Sequence, residues 1–297
     1  MSLIARAFTK APSTLVGGAG VRYAASKKTV MLRMKSVKAV QKITAAMKMV
    51  AASKLKGVET LNLKARPFGA AVDKFFVDVP AAPEDREELD GKHLLVPITS
   101  DRGLCGGINS SVVKAAKLRV QEDPELVMSI FGDKAKAGLM RNAKNNFSSV
   151  TTDISRKPAS FVQASLLAER VLEVDSKDID IIYNKFQSVI AFDTVTEKLE
   201  APKDMTTRAW NTEYEFDDDE EEIVKDLSEF RIASKLYSSL LENATSEQSA
   251  RMTAMDNASK NAGDMLDKLT LLYNRTRQAG ITTELCEIVS GAEALKG

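Results

Sequence analysis

The amino-acid sequence predicts an α/β protein: a long antiparallel coiled coil of N- and C-terminal helices flanking a Rossmann-like, mainly parallel α/β domain. Three observations predict it. The stretch from Ser26 to about Phe76 contains a single proline, Pro67, and spaces its apolar residues by threes and fours. A second stretch, from about Ile223 to Leu295, contains no proline. Between them, short apolar runs alternate with helical segments, as strands do with crossover helices. The chain divides accordingly into 1–25, a targeting segment; 26–78, the first long helix; 79–210, the α/β domain; 211–225, an acidic connector; and 226–297, the second long helix.

Residues 1–25 carry Arg6, Lys10 and Arg22, many Ala, Ser and Thr, and no acid. That is the composition of a mitochondrial transit peptide, with cleavage expected near Arg22–Ser26. In the helix that follows, apolar residues recur at Val30, Met34, Val37, Val40, Ile43, Met47, Val50, Leu55, Val58 and Leu61. The stripe drifts around the helix, so several surfaces, not one seam, are expected to cover it. Roughly fifty residues at ~1.5 Å each would span ~75 Å.

Val79–Lys92 reads as a Pro- and acid-rich connector. His93–Ser100 then reads as a buried strand, followed by a glycine turn and a helix over Ile108–Gln121. Leu126–Gly132 is a second strand, before a helix near Asp133–Asn142; a third falls at Phe147–Thr152, before a helix at Ser160–Val174. Ile179–Phe186 and Val189–Leu199 read as a strand pair turning near Gln187–Ser188. In the last helix Leu236, Leu240, Ala244, Met252, Met255, Ala262 and Met265 mix bulky with small residues, which lets a neighbouring helix approach closely. Its roughly seventy residues would reach ~105 Å, about 30 Å more than the first helix. Paired antiparallel, the longer helix leaves a solitary tip, and long lone helices need outside support. The tip therefore predicts an enclosing partner.

The formal net charge of +1 gives no global field to draw nucleic acid or a membrane. Charge is polarised along the chain all the same. Met1–Val58 holds twelve Lys and Arg and no acid, whereas Glu213–Glu229 holds ten acids and one Lys. No uninterrupted apolar run approaches the ~20 residues of a membrane span. His93 is the only histidine and Cys105 and Cys286 the only cysteines, so zinc sites and most nucleophile–base arrangements lack their residues. No catalytic, cofactor-binding or metal-binding residue is predicted. Ser100–Gly107 (SDRGLCGG) lies where phosphate cradles are built, yet it lacks both the G-x-G-x-x-G spacing and the G-K-[ST] ending. Gly103, Gly106 and Gly107 are therefore read as a structural turn, with Asp101 and Arg102 placed to pair locally. The acidic run Asp217–Glu222 precedes the long helix, where its charge suits the helix N-terminus.

Ser246–Leu295 closely resembles the gamma subunits of F-type ATP synthases, whose ending of the form I-T-x-E-L/I-x-E-I-V-x-G-A is matched by Ile281–Ala292. RMKSVKAVQKITAAMKMVAASKL (Arg33–Leu55) resembles that family's opening helix, and SDRGLCGGIN (Ser100–Asn109) its central hallmark. The resemblance covers about Ser26–Gly297, and its C-terminal block is most similar to mitochondrial members. It implies a non-catalytic rotor, the central stalk that couples rotation of a membrane ring to conformational cycling of the catalytic alpha/beta hexamer. The place implied is the matrix side of the mitochondrial inner membrane, peripherally attached. The partners implied are the alpha and beta subunits, small central-stalk subunits of delta/epsilon type and the membrane c-ring, with no nucleic acid and no cofactor.

For such a rotor shaft Met47, Met49, Met252 and Met255 offer an adaptable, greasy surface, with filling of the coiled-coil core the alternative for about half of them. The resemblance places Met47 and Lys48, in a basic flank with Lys42, Lys54 and Lys56, towards the beta subunits. Arg277 and Gln278 fall where the family makes polar contacts with beta, and Glu213, Glu215 and Asp217 would face basic loops of the ring. Gly280 stands where many members carry Ala, and the dithiol insertion of plastid relatives is missing. The rival readings are a Rossmann-like nucleotide-binding enzyme with helical arms, and a scaffold coiled coil or basic-helix nucleic-acid binder using Lys27–Lys56. The first lacks an acid–base pair; the second leaves the Met-rich C-terminal stripe unexplained.

Overall fold

The computed structural model describes residues 27–78, 91–200, 217 and 219–295. The expected transit peptide, the connector at 79–90, and Glu213 and Glu215 lie outside the described residues. In chain order the elements are α1 (Lys27–Asp78), β1 (Lys92–Pro97), α2 (Ile108–Glu122), β2 (Val127–Phe131), α3 (Asp133–Leu139), β3 (Phe147–Thr151), α4 (Phe161–Leu172), β4 (Ser176–Phe186), β5 (Phe192–Glu200) and α5 (Glu220–Ala294). They fall into two compact units, Ala39–Gly263 and a second made of the residues up to Lys38 and from Asp264 onward.

In the larger unit the strands stand in the order β3-β2-β1-β4-β5. β1, β2, β3 and β4 are parallel neighbours, and β5 runs antiparallel to β4. Short apolar runs form strands here because both faces of the sheet are covered, so every side chain of β1 from Leu94 to Pro97 is buried. Alternation then sorts them. Leu94 and Val96 join Ile179 and Ile181 of β4 under Ala164, Leu167 and Val171 of α4 and Ile232, Leu236 and Leu240 of α5. Leu95, pointing the other way, meets Met128 and Ile130 of β2 under Val112 and Ala116 of α2 and Ala135 and Leu139 of α3. α5 thus serves as one of the sheet's covering helices. The β4–β5 turn extends further than Gln187–Ser188, closing where Ala191 N–H donates to Ser188 O at 3.2 Å and Gln187 N–H donates to Ala191 O at 3.3 Å.

The first helix departs from the expected drifting stripe. Its buried positions between Ala39 and Asp78 are Thr44, Ala51, Leu55, Val58, Asn62, Ala65, Gly69 and Phe76. Those steps of seven, four and three follow a 3.5-residue period, that of a single straight seam. Val40, Ile43, Val50 and Leu61, which the stripe placed inside, are exposed. The seam is made largely of small or polar residues, which bring a facing helix close but do not register as apolar. Contacts of α1 with α5 in this unit run in opposite chain directions. A Cβ at Gly263 would lie 3.3 Å from Gln41, and one at Gly69 3.2 Å from Ser238. Lys48 pairs with Asp256, Arg66 with Glu242 and Asp73 with Lys235.

α5 begins at Glu220, so the acidic run is not wholly a connector: Glu220, Glu221 and Glu222 make the helix's first turn, where carboxylates oppose the positive end of the helix dipole. Asp219 caps it, accepting from Glu221 N–H at 3.3 Å. From Ile232 to Ser249 α5 is buried on nearly all sides; after that burial thins to Met255 and Ala262, seven residues apart. In the smaller unit, Val30 is the one buried side chain among the described residues.

Candidate functional site

The C-terminal ends of the parallel strands carry the motif Ser100–Asn109. The Asp101 carboxylate leaves Arg102 and ties three strand ends together instead. It accepts from Asp133 N–H after β2 (3.2 Å), Asp153 N–H after β3 (3.0 Å), Ser155 N–H (2.9 Å) and Ser155 Oγ–H (2.8 Å). Burial works to raise this carboxyl's pKa, but the hydrogen bonds from Ser155, Asp133 and Asp153 outweigh it and hold it below the usual range. Behind it, Ser100 N–H donates to Asn109 Oδ1 (3.0 Å) and Asn109 Nδ2 donates to Ser100 Oγ (2.8 Å) and Cys105 Sγ (3.1 Å). Leu104 and Gly106 take left-handed backbone at φ 66° and 64°, which turns the chain into α2 and leaves Leu104 exposed. Gly103 and Gly107 complete the turn, Gly107 as the residue preceding α2. Burial pushes the Cys105 thiol up, so it is a packed thiol and not an activated one.

A doubly wound sheet binds ligands where strand order reverses, here between β1 and β4. That crevice is filled from α5 and α2. Asn184, fully buried on β4, donates to Asn243 Oδ1 (3.0 Å) and Ile108 O (3.3 Å) and accepts from Thr194 Oγ1 (2.8 Å). Ser246 Oγ donates to Asn184 O at 3.0 Å. A separate space between the loop at 154–159 and α5, lined by Thr99, Ser155, Asn243 and Glu247 among others, is about 20 Å³. That holds a water molecule and not a nucleoside phosphate. His93 lies at the other end of β1, in contact with Asp178, whose second oxygen takes Lys198 Nζ at 2.6 Å.

α5 is fastened to the sheet domain between Phe230 and Arg251. Lys235 bridges Asp73 of α1 (2.7 Å) and Glu197 of β5 (2.8 Å), and Tyr183 O–H donates to Glu197 at 2.9 Å. Ser249 Oγ donates to Val189 O (2.6 Å), and Arg251 donates to Glu247 (2.5 Å) and Gly103 O (3.4 Å). Phe68 of α1, Phe161 of α4 and Phe230 of α5 meet with centroids about 6 Å apart.

The residues singled out from sequence fall in different places. Met47 and Met252 are half-buried, Met255 is buried and Met49 is 68% exposed. Lys48 Nζ lies 2.6 Å from Asp256, which also holds Lys260, while Lys42, Lys54 and Lys56 are exposed. Arg277 and Gln278, and every residue after them to Leu295, are exposed, as is Asp217. Gly280 sits inside the helix with open space around it. Sequence reading missed Arg66, Glu242, Asn184 and Asn243. The available signal was a carboxylate and an amide set directly after Leu240–Leu241, within the apolar stripe of the last helix. Among the described residues no helix is long and apolar enough to cross a membrane.

The family described as ATP synthase matches residues 26–295. The mitochondrial ATP synthase subunit gamma of Ipomoea batatas is 42% identical over 300 residues, covering 96% of this chain and 90% of its own. The mitochondrial F(1) complex subunit gamma of Rattus norvegicus is 42% identical over 278 residues, covering 91% of this chain and all of its own. Among solved structures, a chain of the central stalk and c-ring of the Tetrahymena thermophila mitochondrial ATP synthase superposes with a TM-score of 0.65 at 32% identity, over 73% of this chain and 99% of that one. A chain from the Euglena gracilis mitochondrial ATP synthase shares the fold, with a TM-score of 0.72 at 20% identity over 91% of this chain and 95% of that one.

Proposed function

The chain belongs to the ATP synthase family, in the branch of its gamma subunits, and from that premise we propose how it works as the rotor of the central stalk. One observation carries the reading: the helix that covers the sheet at Ile232–Leu240 and is bonded to it at Glu242–Arg251 continues unbroken to Ala294. Torque on the sheet domain therefore enters a helix of which only the first part is bonded there. The heptad spacing of α1's buried positions and the opposed order of its contacts with α5 support an antiparallel coiled coil as the shaft.

From Asp264 onward the helix exposes Ile281, Leu285 and Ile288 at steps of four and three, an apolar face that an enclosing alpha/beta hexamer would cover. Its threonine hydroxyls are satisfied locally: Thr270, Thr276, Thr282 and Thr283 each donate to the carbonyl four residues earlier. Met47, Arg277 and Gln278 are the proposed beta contacts; Lys48, held by Asp256, acts first on the shaft itself. Glu213, Glu215 and Asp217 belong to the foot that faces the c-ring and the delta/epsilon-type subunits, on the matrix side of the mitochondrial inner membrane.

The test is a cross-link in the assembled enzyme. A cysteine introduced by Gln278→Cys or Met47→Cys, joined to a beta subunit, stops turnover, and reducing the link restores it. Undiminished turnover with the link formed would refute the rotor role or the contact.

A further inference from the structure

We propose that Arg66 and Glu242 form the joint that makes α1 turn with the sheet, by standing in for the strand that β4 has outrun. β1 stays paired with β4 only as far as Pro97 against Ile182, with one more bond from Ile98 N–H to Ile182 O at 2.8 Å. β4 continues to Phe186. In a strand the backbone groups of alternate residues point to the same side, so Asn184 and Phe186 present theirs where β1 would have continued. Helix side chains take them. Glu242 Oε2 accepts Phe186 N–H at 2.8 Å and Arg66 donates to Phe186 O at 2.8 Å. The two side chains close the ring on each other through Arg66 Nε to Glu242 Oε1 at 2.6 Å and a second bond to Oε2 at 3.2 Å. One guanidinium–carboxylate pair, with a donor and an acceptor, thus clamps a strand end between both long helices.

Other ties of α1 in this region are of a different kind. The edge contact of Phe68 with Phe161 is apolar and lets a helix roll, whereas a forked guanidinium fixes direction. The Lys235–Asp73 pair joins α1 to α5, and through Glu197 to the sheet, by a lysine whose point charge tolerates rotation. Among the hydrogen bonds of the described residues, the one from Arg66 to Phe186 O ties α1 to a sheet backbone carbonyl through a planar group. This inference rests on the rotor reading and adds where torque crosses from the sheet to the first helix.

The test uses the complete enzyme in sealed vesicles, with ATP hydrolysis and ATP-driven proton uptake measured on the same preparation. Arg66→Ala is avoided, since it strands a buried carboxylate. The double exchange Arg66→Glu with Glu242→Arg keeps the attraction between the helices, but a carboxylate at 66 cannot donate to Phe186 O and a guanidinium at 242 cannot accept from Phe186 N–H. Arg66→Lys keeps the charge and removes the planar fork, and carries the test if the double exchange does not assemble. Both variants should hydrolyse ATP at close to the native rate while proton uptake per ATP falls by about twofold or more. A native ratio in Arg66→Lys, or full restoration by the double exchange, overturns the proposal. Native enzyme whose hydrolysis moves no protons would instead overturn the rotor reading on which it rests.

Discussion

Replacing Asp101 by Asn separates what the carboxylate does from what the turn's shape does. The two oxygens accept four hydrogen bonds, two from Ser155 and one each from the amides of Asp133 and Asp153. Asn keeps one acceptor oxygen and turns an NH2 towards donors; the Ser155 hydroxyl can turn to accept from it, but at least one amide bond is lost and a partly buried N–H is left facing another N–H. With each bond worth about 0.5–1.5 kcal/mol and an orphaned donor costing about 1–3 kcal/mol, the loss is on the order of 2–4 kcal/mol at neutral pH. The sign with pH follows from the lowered folded pKa. The carboxylate's contribution is fully present above the ordinary carboxyl value near ~4 and disappears as pH falls through the lower folded value. The stability gap between native protein and variant should therefore close in acid. Urea unfolding followed by circular dichroism gives the gap, and amide exchange at Asp133, Asp153 and Ser155 shows whether those sites open first. A gap under about 0.5 kcal/mol at pH 7, or unchanged protection of those amides, would refute the account of Asp101 as the knot of three strand ends.

Gly132→Ala puts a methyl 2.3 Å from Thr99 O on a backbone at φ 100°, so it should cost at least about 2 kcal/mol, read as a lowered Tm. Asp256 is held at about 2 by Lys260 and then Lys48. Lys48→Met should raise that carboxyl towards the ordinary range in an NMR titration, without reaching it while Lys260 remains. The pair's effect is present above the ordinary carboxyl value and lost as pH falls towards 2. Ile43→Ser, at a side chain 58% exposed, should leave the isolated chain within about 0.5 kcal/mol of native stability yet weaken assembly with the hexamer, scored by co-purification.

The sheet was legible because its logic is local. His93–Ser100 reads as a strand from its own apolar run, and two-sided burial needs nothing beyond that. The first helix was legible as a helix, and its facing in part: Val30, Leu55 and Val58 of the stripe are buried, but Val40, Ile43, Val50 and Leu61 are not. A stripe drawn through Val40, Ile43, Val50 and Leu61 assumes that apolar means inside, whereas the inner seam holds Thr44, Ala51, Asn62, Ala65 and Gly69. Close approach of two helices selects for small size, which hydropathy does not rank. Asp101 was paired with its neighbour Arg102 because adjacency is all a sequence displays; its real partners come from loops after β2 and β3. Arg66 and Glu242 lie 176 residues apart and could be joined only by the fold.

Periodicity arguments also assume that a helix has the same surroundings from end to end. α5 breaks that assumption. Around Leu241–Glu247 it is buried on all sides, and there polar side chains such as Glu242 and Asn243 face inward because β4 offers them unpaired backbone groups. From Arg277 onward it is exposed on all sides, and there Ile281, Leu285 and Ile288 face outward. Each half inverts the rule that polar residues are outside and apolar ones inside. The inversion has a physical reading in both places: an inward polar group marks a backbone that lacks a strand, and an outward apolar row marks a surface that lacks its cover. The same reasoning applied to α1 distinguishes its seam from Ile43 and Val50, which lie outside it. Both are exposed, so the contacts within this chain do not account for their apolarity, and under the proposed function an enclosing partner would.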